Sequence, residues 1–521
     1  MMGWILPVLV SLLSGILMGC TVAPWEWWGL AWFALAPLWW LLGRQTYPAW
    51  SLGAAWGAGF HGTAIFWITG VHPMTWMGVP WLASLAIAIA CWLLIALWGA
   101  VLVGLWAYLQ AYLQQWSRGE KFFAPTWARI LIGVASWCLL EVLWRSLPLW
   151  WSSLAYTQSP HNLPILHLGQ LSGTTTITAV LVAVNGCWAA AFDSFDLSRK
   201  RVRLSAILAG LLVLGLAQGL GGYLYSRPLN DRPEQSLNVG LIQGNIPNEI
   251  KLYPEGLRQA LEGYTRGYEE LSEAGVDGVM TPETALPVLW QGDRLQYSNS
   301  PAGHFYQAIR DRGVPVWVGT SRGTPSQYTN SLLSISGNGE TLSYYDKAIL
   351  VPLGEYIPFE SVLGRFISRL SPLQAQMIAG SRDQLLETPF GPAIVSICYE
   401  SAFPQYLQAQ AQRGGEFFLS AANNAHYAPS MPPQHHAQDV MRAIELDRWA
   451  VRATNTGYSA FVNPHGETLW ISELNQYTTH QETIYRRQGQ TLYVRWGDWL
   501  VWLLAIVAIL INAVPVLRSG L

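Results

Sequence analysis

Long runs with at most one formal charge decide what this chain can fold into. Eight apolar stretches stand in it: Trp4–Met18, Trp27–Leu42, Trp50–Val71, Trp81–Leu109, Ile130–Trp144, Thr174–Ala191, Leu204–Tyr225 and Trp499–Val516. A helix needs about 20 mostly apolar residues to cross roughly 30 Å of hydrocarbon, and these runs approach or exceed that length. Charge is partitioned to match. The first 226 residues carry 14 charged side chains, residues 227–495 carry 46, and the remainder holds only Asp498 and Arg518. The pattern predicts a seven-helix membrane domain over 1–226, a water-exposed domain over 227–495 and an eighth helix over 496–521.

Basic residues in short loops orient such a bundle, because Lys- and Arg-rich loops stay cytoplasmic. Loops after the second, fourth and sixth stretches hold Arg44, then Arg118, Lys121 and Arg129, then Arg199, Lys200, Arg201 and Arg203; Arg518 follows the eighth. The opposite loops hold only Arg145. The bias predicts cytoplasmic termini and a large domain on the outer face, periplasmic in a bacterium. Near the outer end of the fifth stretch, Glu141 and Arg145 stand four residues apart. They are expected either to close on each other or, at Arg145, to touch a phospholipid headgroup. A net charge of −2 gives no basic field for nucleic acid, and five Cys in 521 residues make no disulfide scaffold.

Within 227–495, short β-branched or apolar runs alternate with helical patterns, which predicts a layered α/β domain. Strands are expected at Leu237–Ile242, Gly278–Thr281, Val314–Gly319, Asn330–Ser336, Leu342–Leu350, Ala393–Cys398, Phe417–Ala421, Ala450–Thr454 and Ser459–Val462. Helices are expected at Pro254–Ala274, Ala302–Arg312, Tyr406–Arg413 and Gln434–Asp447. Phe359, Val362, Leu363, Phe366, Ile367 and Leu370 recur at helical spacing inside Pro358–Ala379, with Arg365 and Arg369 among them. Such a segment either packs on its own domain or lies on the bilayer as an arm gating access.

Cys398 is the one cysteine of this domain and ends the run Ala393-Ile394-Val395-Ser396-Ile397. A nucleophile on a strand-end turn has backbone N–H groups free to face an oxyanion, although a free Cys is commonly a small buried hydrophobe. A thiol with a pKa of about 8.5 also needs a base or a positive field. His426, His435, His436, His465 and His480 are available. His435-His436 matches no zinc signature and is expected to be a packing or surface pair. Two other strand ends compete. Thr281-Pro282-Glu283-Thr284-Ala285-Leu286-Pro287 sets Glu283 between prolines, and Lys347 interrupts an apolar run, where burial requires a partner.

Taken together, Glu283, Lys347 and Cys398 resemble the Glu–Lys–Cys triad of the nitrilase superfamily, in chain order. Joined to seven preceding stretches and one following, the chain resembles the apolipoprotein N-acyltransferase family. Tyr345-Asp346-Lys347, Pro352-Leu353-Gly354-Glu355-Tyr356-Ile357-Pro358-Phe359, Cys398-Tyr399-Glu400 and Arg452-Ala453-Thr454-Asn455-Thr456-Gly457 are close to that family's pattern. The resemblance implies a multi-span α-helical membrane domain plus a nitrilase-like αββα sandwich. It implies transfer of an acyl chain from a phospholipid to the α-amine of an apolipoprotein's diacylglyceryl cysteine, without metal or cofactor. Cys398 would form a thioester, Glu283 would be the base, and Lys347 with the Tyr399 N–H would stabilise the tetrahedral intermediate; Glu355 and Glu400 would be supporting acids. Asn423-Asn424-Ala425-His426-Tyr427-Ala428 departs from the family's Asn-Asp-x-Trp-Phe-Gly, and Leu252 stands where some members have Trp. A tethered amidase that hydrolyses a C–N bond, and a transporter or receptor with an outer ligand-binding domain, are the rival expectations.

Overall fold

The computed structural model describes residues 4–119, 126–193, 200–251, 253–295, 300–352, 354–356 and 376–519. The chain forms two compact units, one of Met1–Thr69, Ala86–Arg227 and Trp496–Leu521, the other of Gly70–Leu85 and Pro228–Arg495.

Trp81–Leu113, Thr126–Arg145, Thr174–Phe192 and Lys200–Tyr225 are long and apolar enough to cross a membrane, and Ile5–Gly19 and Trp499–Ile511 are shorter apolar helices. The second and third expected spans are not single long helices. Trp27–Leu42 resolves into a 3-10 turn, Trp28–Trp32, and a nine-residue helix, Ala36–Arg44; the third run gives Ala49–Ala64 followed by a 3-10 segment, Phe66–Val71. A break between apolar segments strands backbone groups that hydrocarbon cannot satisfy. Asn185 answers them: its Oδ1 accepts from the N–H groups of Leu35 and Ala36, both at 2.9 Å, and its Nδ2 donates to Ala31 O at 2.9 Å. Small residues let Ile5–Gly19 and Ala49–Ala64 meet backbone to backbone. A Cβ on Gly15 would lie 2.1 Å from the Trp56 carbonyl oxygen, and one on Gly59 would lie 2.4 Å from that of Leu12.

The Glu141–Arg145 expectation is corrected. Buried Arg145 pairs with Asp498 on the far side of the sequence, while Glu141 accepts from Ser153 at 2.5 Å, Thr178 at 3.1 Å and Trp137 at 3.2 Å. Spacing along one helix could not reveal a partner 353 residues away.

Among the described residues the second unit contains twelve strands: β1 (Ser236–Gln243), β2 (Gly278–Met280), β3 (Val316–Gly323), β4 (Gln327–Ile335), β5 (Thr341–Asp346), β6 (Gln376–Met377), β7 (Ala393–Ile397), β8 (Phe417–Ala422), β9 (Ala450–Thr454), β10 (Ala460–Val462), β11 (Thr468–Ile471) and β12 (Thr478–Tyr485). One sheet runs β12-β1-β2-β3-β4-β5, with β6 beside β4; the other runs β11-β10-β9-β8-β7. Alternate residues build the layers. Val239, Leu241, Trp317 and Leu332 of the first sheet share a core with Val395, Leu419, Val451 and Phe461 of the second. The other face of the first sheet, with Ile242, Val279 and Val318, packs on Tyr264 and Tyr268 of helix Pro254–Glu273 and Phe305 of helix Pro301–Arg312. Helices Pro404–Gln412 and Met431–Leu446 lie against the second sheet. The result is an αββα sandwich.

Three differences from the sequence reading have physical causes. β12 was not expected, because Thr478-Thr479-His480-Gln481-Glu482 is polar; as an edge strand pairing β1 antiparallel throughout its length, it needs little apolar content. The strand expected over Leu342–Leu350 ends at Asp346, because past Lys347 the N–H groups of Ala348 and Ile349 donate to the Glu400 carboxylate. Gly70–Leu85, expected as the end of the third stretch, a loop and the start of the fourth within 1–226, belongs to the second unit: a Cβ on Gly70 would sit 2.2 Å from the Ala428 nitrogen, and Trp76 lies 6.5 Å from the His426 ring. Most of the Pro358–Ala379 arm, and Leu252, lie outside the described residues.

Candidate active site

Three strand ends converge. Glu283 follows β2, Lys347 is the first residue past β5, and Cys398 is the first past β7. Parallel pairing of β7 with β8, and of β2 with β1 and β3, aligns carboxyl ends, where side chains leave the sheet. Cys398 sits at φ +54°, a left-handed conformation that a non-glycine residue holds only when its surroundings demand it. His435 supplies part of that demand, its Nε2 donating to the Cys398 carbonyl at 2.9 Å while its Nδ1 accepts from Asn424 at 3.2 Å. Arg452 reaches Asn424 Oδ1 at 3.4 Å and also pairs with buried Asp439. A Cβ on Gly457 would meet Asn424 Oδ1 at 2.2 Å, so only glycine admits this network.

The Lys347 ammonium lies between two carboxylates, 3.0 Å from Glu283 Oε1 and 2.8 Å from Glu355 Oε1, and is 1% exposed. Burial alone would lower its pKa; the two carboxylates outweigh that and hold it well above the ordinary lysine value. Burial likewise pushes Glu283 up, but Lys347, Lys251 and the Asn330 amide, at 2.7 Å from Oε1, bring its carboxyl below the usual range. Among the described residues Oε2 of Glu283 receives no hydrogen bond. Burial first, then the Glu283 charge, pushes the Cys398 thiol up to about 12, against the pull of Lys347. The thiol is therefore protonated at rest, in the field of the Glu283 carboxylate and the Lys347 ammonium.

Glu400 ties two of the strand ends together. Its Oε1 accepts from the N–H groups of Ala348 at 2.7 Å and Ile349 at 3.1 Å, just past Lys347, and its Oε2 accepts from Ile397 N at 2.8 Å, just before Cys398. Burial outweighs these bonds and raises its pKa to about 7. A native pKa above the unfolded value near 4.5 means that the contribution is fully present below about 4.5 and is lost as pH rises through about 7. The expected result is a melting temperature of the full chain that declines across that window. Glu400→Gln should flatten the decline, and an unchanged slope would remove Glu400 as its source.

Tyr399 follows Cys398, its ring 4.9 Å from and edge-on to Phe403. His435 and His436 are buried, and burial lowers them to about 3 and about 4, so both are neutral packing groups. His480 stacks on Trp470 at 4.1 Å. His426 accepts from Asn248 at 2.7 Å. Among the described residues no group of three or more His, Cys, Asp or Glu is arranged to hold a metal. Sequence reasoning missed Asn330, which sits inside an expected strand, and Lys251, whose polar neighbours Asn248 and Glu249 suggest a surface turn although it is buried.

The apolipoprotein N-acyltransferase N-terminal domain family matches residues 14–187, and the carbon-nitrogen hydrolase family matches residues 238–488. A protein of Nostoc sp. named apolipoprotein N-acyltransferase is 53% identical over 94% of this chain and 95% of its own length. Its namesake in Synechocystis sp. is 50% identical over 94% of this chain and 97% of its own length. Among solved structures, an amidase from Nesterenkonia sp. is 18% identical with a TM-score of 0.37, covering 52% of this chain and 97% of that one.

Proposed function

The chain belongs to the apolipoprotein N-acyltransferase family, and from that premise we propose how it uses Cys398, Glu283 and Lys347 to acylate lipoproteins. It is a membrane-bound acyltransferase carrying a nitrilase-type αββα unit. The donor is a phospholipid and the acceptor is the α-amine of an apolipoprotein's diacylglyceryl cysteine. Residues 227–495 are the catalytic domain, and the nine-to-one bias of basic residues between alternate loops supports a periplasmic position at the bacterial inner membrane, with cytoplasmic termini.

In the first half-reaction the Cys398 sulfur attacks the ester carbonyl as its proton passes to Glu283. The oxyanion is held by Lys347 and the Tyr399 N–H. The C–O bond breaks, Glu283 returns the proton to the departing oxygen, and a lysophospholipid leaves a thioester behind. In the second, the acceptor amine attacks that thioester, Glu283 takes the amine proton, and collapse breaks the C–S bond; the thiol recovers its proton and the amide departs. Splitting the transfer lets two bulky lipids use one site in turn. Glu355 shares the ammonium with Glu283, and Glu400 positions the Lys347 and Cys398 loops. The ammonium held between Glu283 and Glu355, beside a left-handed cysteine, carries this reading.

Full-length protein given a phospholipid with a labelled acyl chain is expected to acquire hydroxylamine-sensitive label, and Cys398→Ala is expected to acquire none. Wild type that stays unlabelled on intact lipid, or that only releases ammonia from amides, would reject the thioester route.

A further inference from the structure

One buried cation at this site has no part in the mechanism above. Lys251 ends the short helix Asn248–Lys251, is 4% exposed, and donates from Nζ to the Glu283 backbone carbonyl at 3.2 Å. Its ammonium therefore holds the loop that carries the base. The charges explain why a second cation belongs here. Lys347 alone faces both Glu283 and Glu355, so those three groups sum to −1. Passing the Cys398 proton to Glu283 leaves that sum unchanged but moves negative charge onto the sulfur, in a place almost closed to water, and an unbalanced buried charge is costly. With Lys251 the four resting groups sum to zero.

We infer that Lys251 is a positioning residue for the acyl transfer: it pins the Glu283 loop and supplies the second positive charge against which the Cys398 proton is lost. The inference deepens the proposed function and rests on Cys398 being the nucleophile. The proton moves from Cys398 Sγ to Glu283, and Lys251 neither gives nor takes it. A Lys that only braced the loop would be replaceable by anything of similar length; a Lys that balances charge must stay protonated.

Protonation of Lys251 lies within experimental reach. Burial lowers its pKa to about 8, with Glu283 and Cys398 pulling it back. The charged and titratable groups around it are these two, Lys347 behind Glu283, Glu249 on its own helix, and His426 on the loop after β8. Above about pH 8 Lys251 becomes neutral and the site turns net negative, so acylation should fall. An arginine holds its proton throughout that range.

The test is single-turnover acylation of Cys398 by a labelled-acyl phospholipid, using the full chain between pH 6 and 9.5. Wild type is expected to lose rate on the alkaline side near pH 8. Lys251→Arg should carry that decline upward by about one pH unit or more, a tenfold difference in proton affinity. Lys251→Met should acylate about tenfold more slowly at pH 7. Coincident alkaline limbs in wild type and Lys251→Arg would overturn charge supply by Lys251, as would a Lys251→Met rate within about twofold of wild type. The Arg comparison decides the matter should the Met variant fail to fold. Wild type without label on Cys398 would instead remove the nucleophile itself, and this inference with it.

Discussion

Lys347→Met is expected to slow thioester formation by about 10²–10³-fold, the range found when a preorganised donor to a developing oxyanion is removed. Stability should suffer as well. Glu283 and Glu355 would be left buried with no ammonium between them, and stripping one partner from a buried ion pair costs about 3–5 kcal/mol. The carboxylates can escape part of that cost only by taking up protons. A protonated Glu283 cannot accept the thiol proton, so the residual rate should climb with pH over the range in which wild type is flat. Single-turnover labelling against pH, beside a thermal melt, reads both effects. A variant within about tenfold of wild type, with an unaltered pH profile, would show that the amine serves only to fill space.

Asp439→Ala should be the most damaging change that leaves every proposed reacting group in place. Asp439 and Arg452 are both fully buried and paired; Asp439 also accepts from Ser420 at 2.6 Å, and Arg452 donates to the Tyr458 carbonyl at 2.9 Å. Burial pushes the Asp439 carboxyl up, yet the guanidinium beside it holds it below the usual range. Removing the acid abandons a guanidinium in the core, at a cost of about 3–5 kcal/mol. Arg452 also steadies Asn424, which engages His435, which in turn holds the Cys398 carbonyl. Acylation should therefore fail at lower temperature than in wild type even where the domain is still folded. The exposed pair of Arg258 and Glu262 is the control, and Glu262→Ala should not measurably move the melting point. Equal effects of the two substitutions would refute a structural role for the buried pair.

How much of this was legible beforehand depended on whether the information was local. Glu283 and Cys398 each follow an apolar run and Lys347 interrupts one, and the layered α/β class follows from short apolar runs between helical patterns, whereas the αββα sandwich was implied by the family resemblance. The roles of Arg452 and Gly457 were not local: their motif resembled the family's, yet only the folded chain shows that one carries a buried ion pair and the other makes room for Asn424. Lys251 gave no local sign of its burial, because burial is decided by segments distant in sequence. The broken second span was hidden for the same reason, since nothing in Trp27–Leu42 announces an asparagine that arrives from residue 185 to satisfy the break. His435 and His436 were expected to pack or face solvent, and both pack.

The pairing of β1 with β12 bears on biosynthesis. Ser236 faces Tyr485 and Gln243 faces Thr478, so the earliest strand of the sandwich waits for the latest. During vectorial synthesis β1 emerges with one flank unclaimed, and that flank is covered only after some 240 further residues have left the ribosome. A nascent chain halted anywhere before residue 478 displays an open β edge to its neighbours. Truncations just short of that point should consequently aggregate or be degraded, even though every proposed reacting group has already been made.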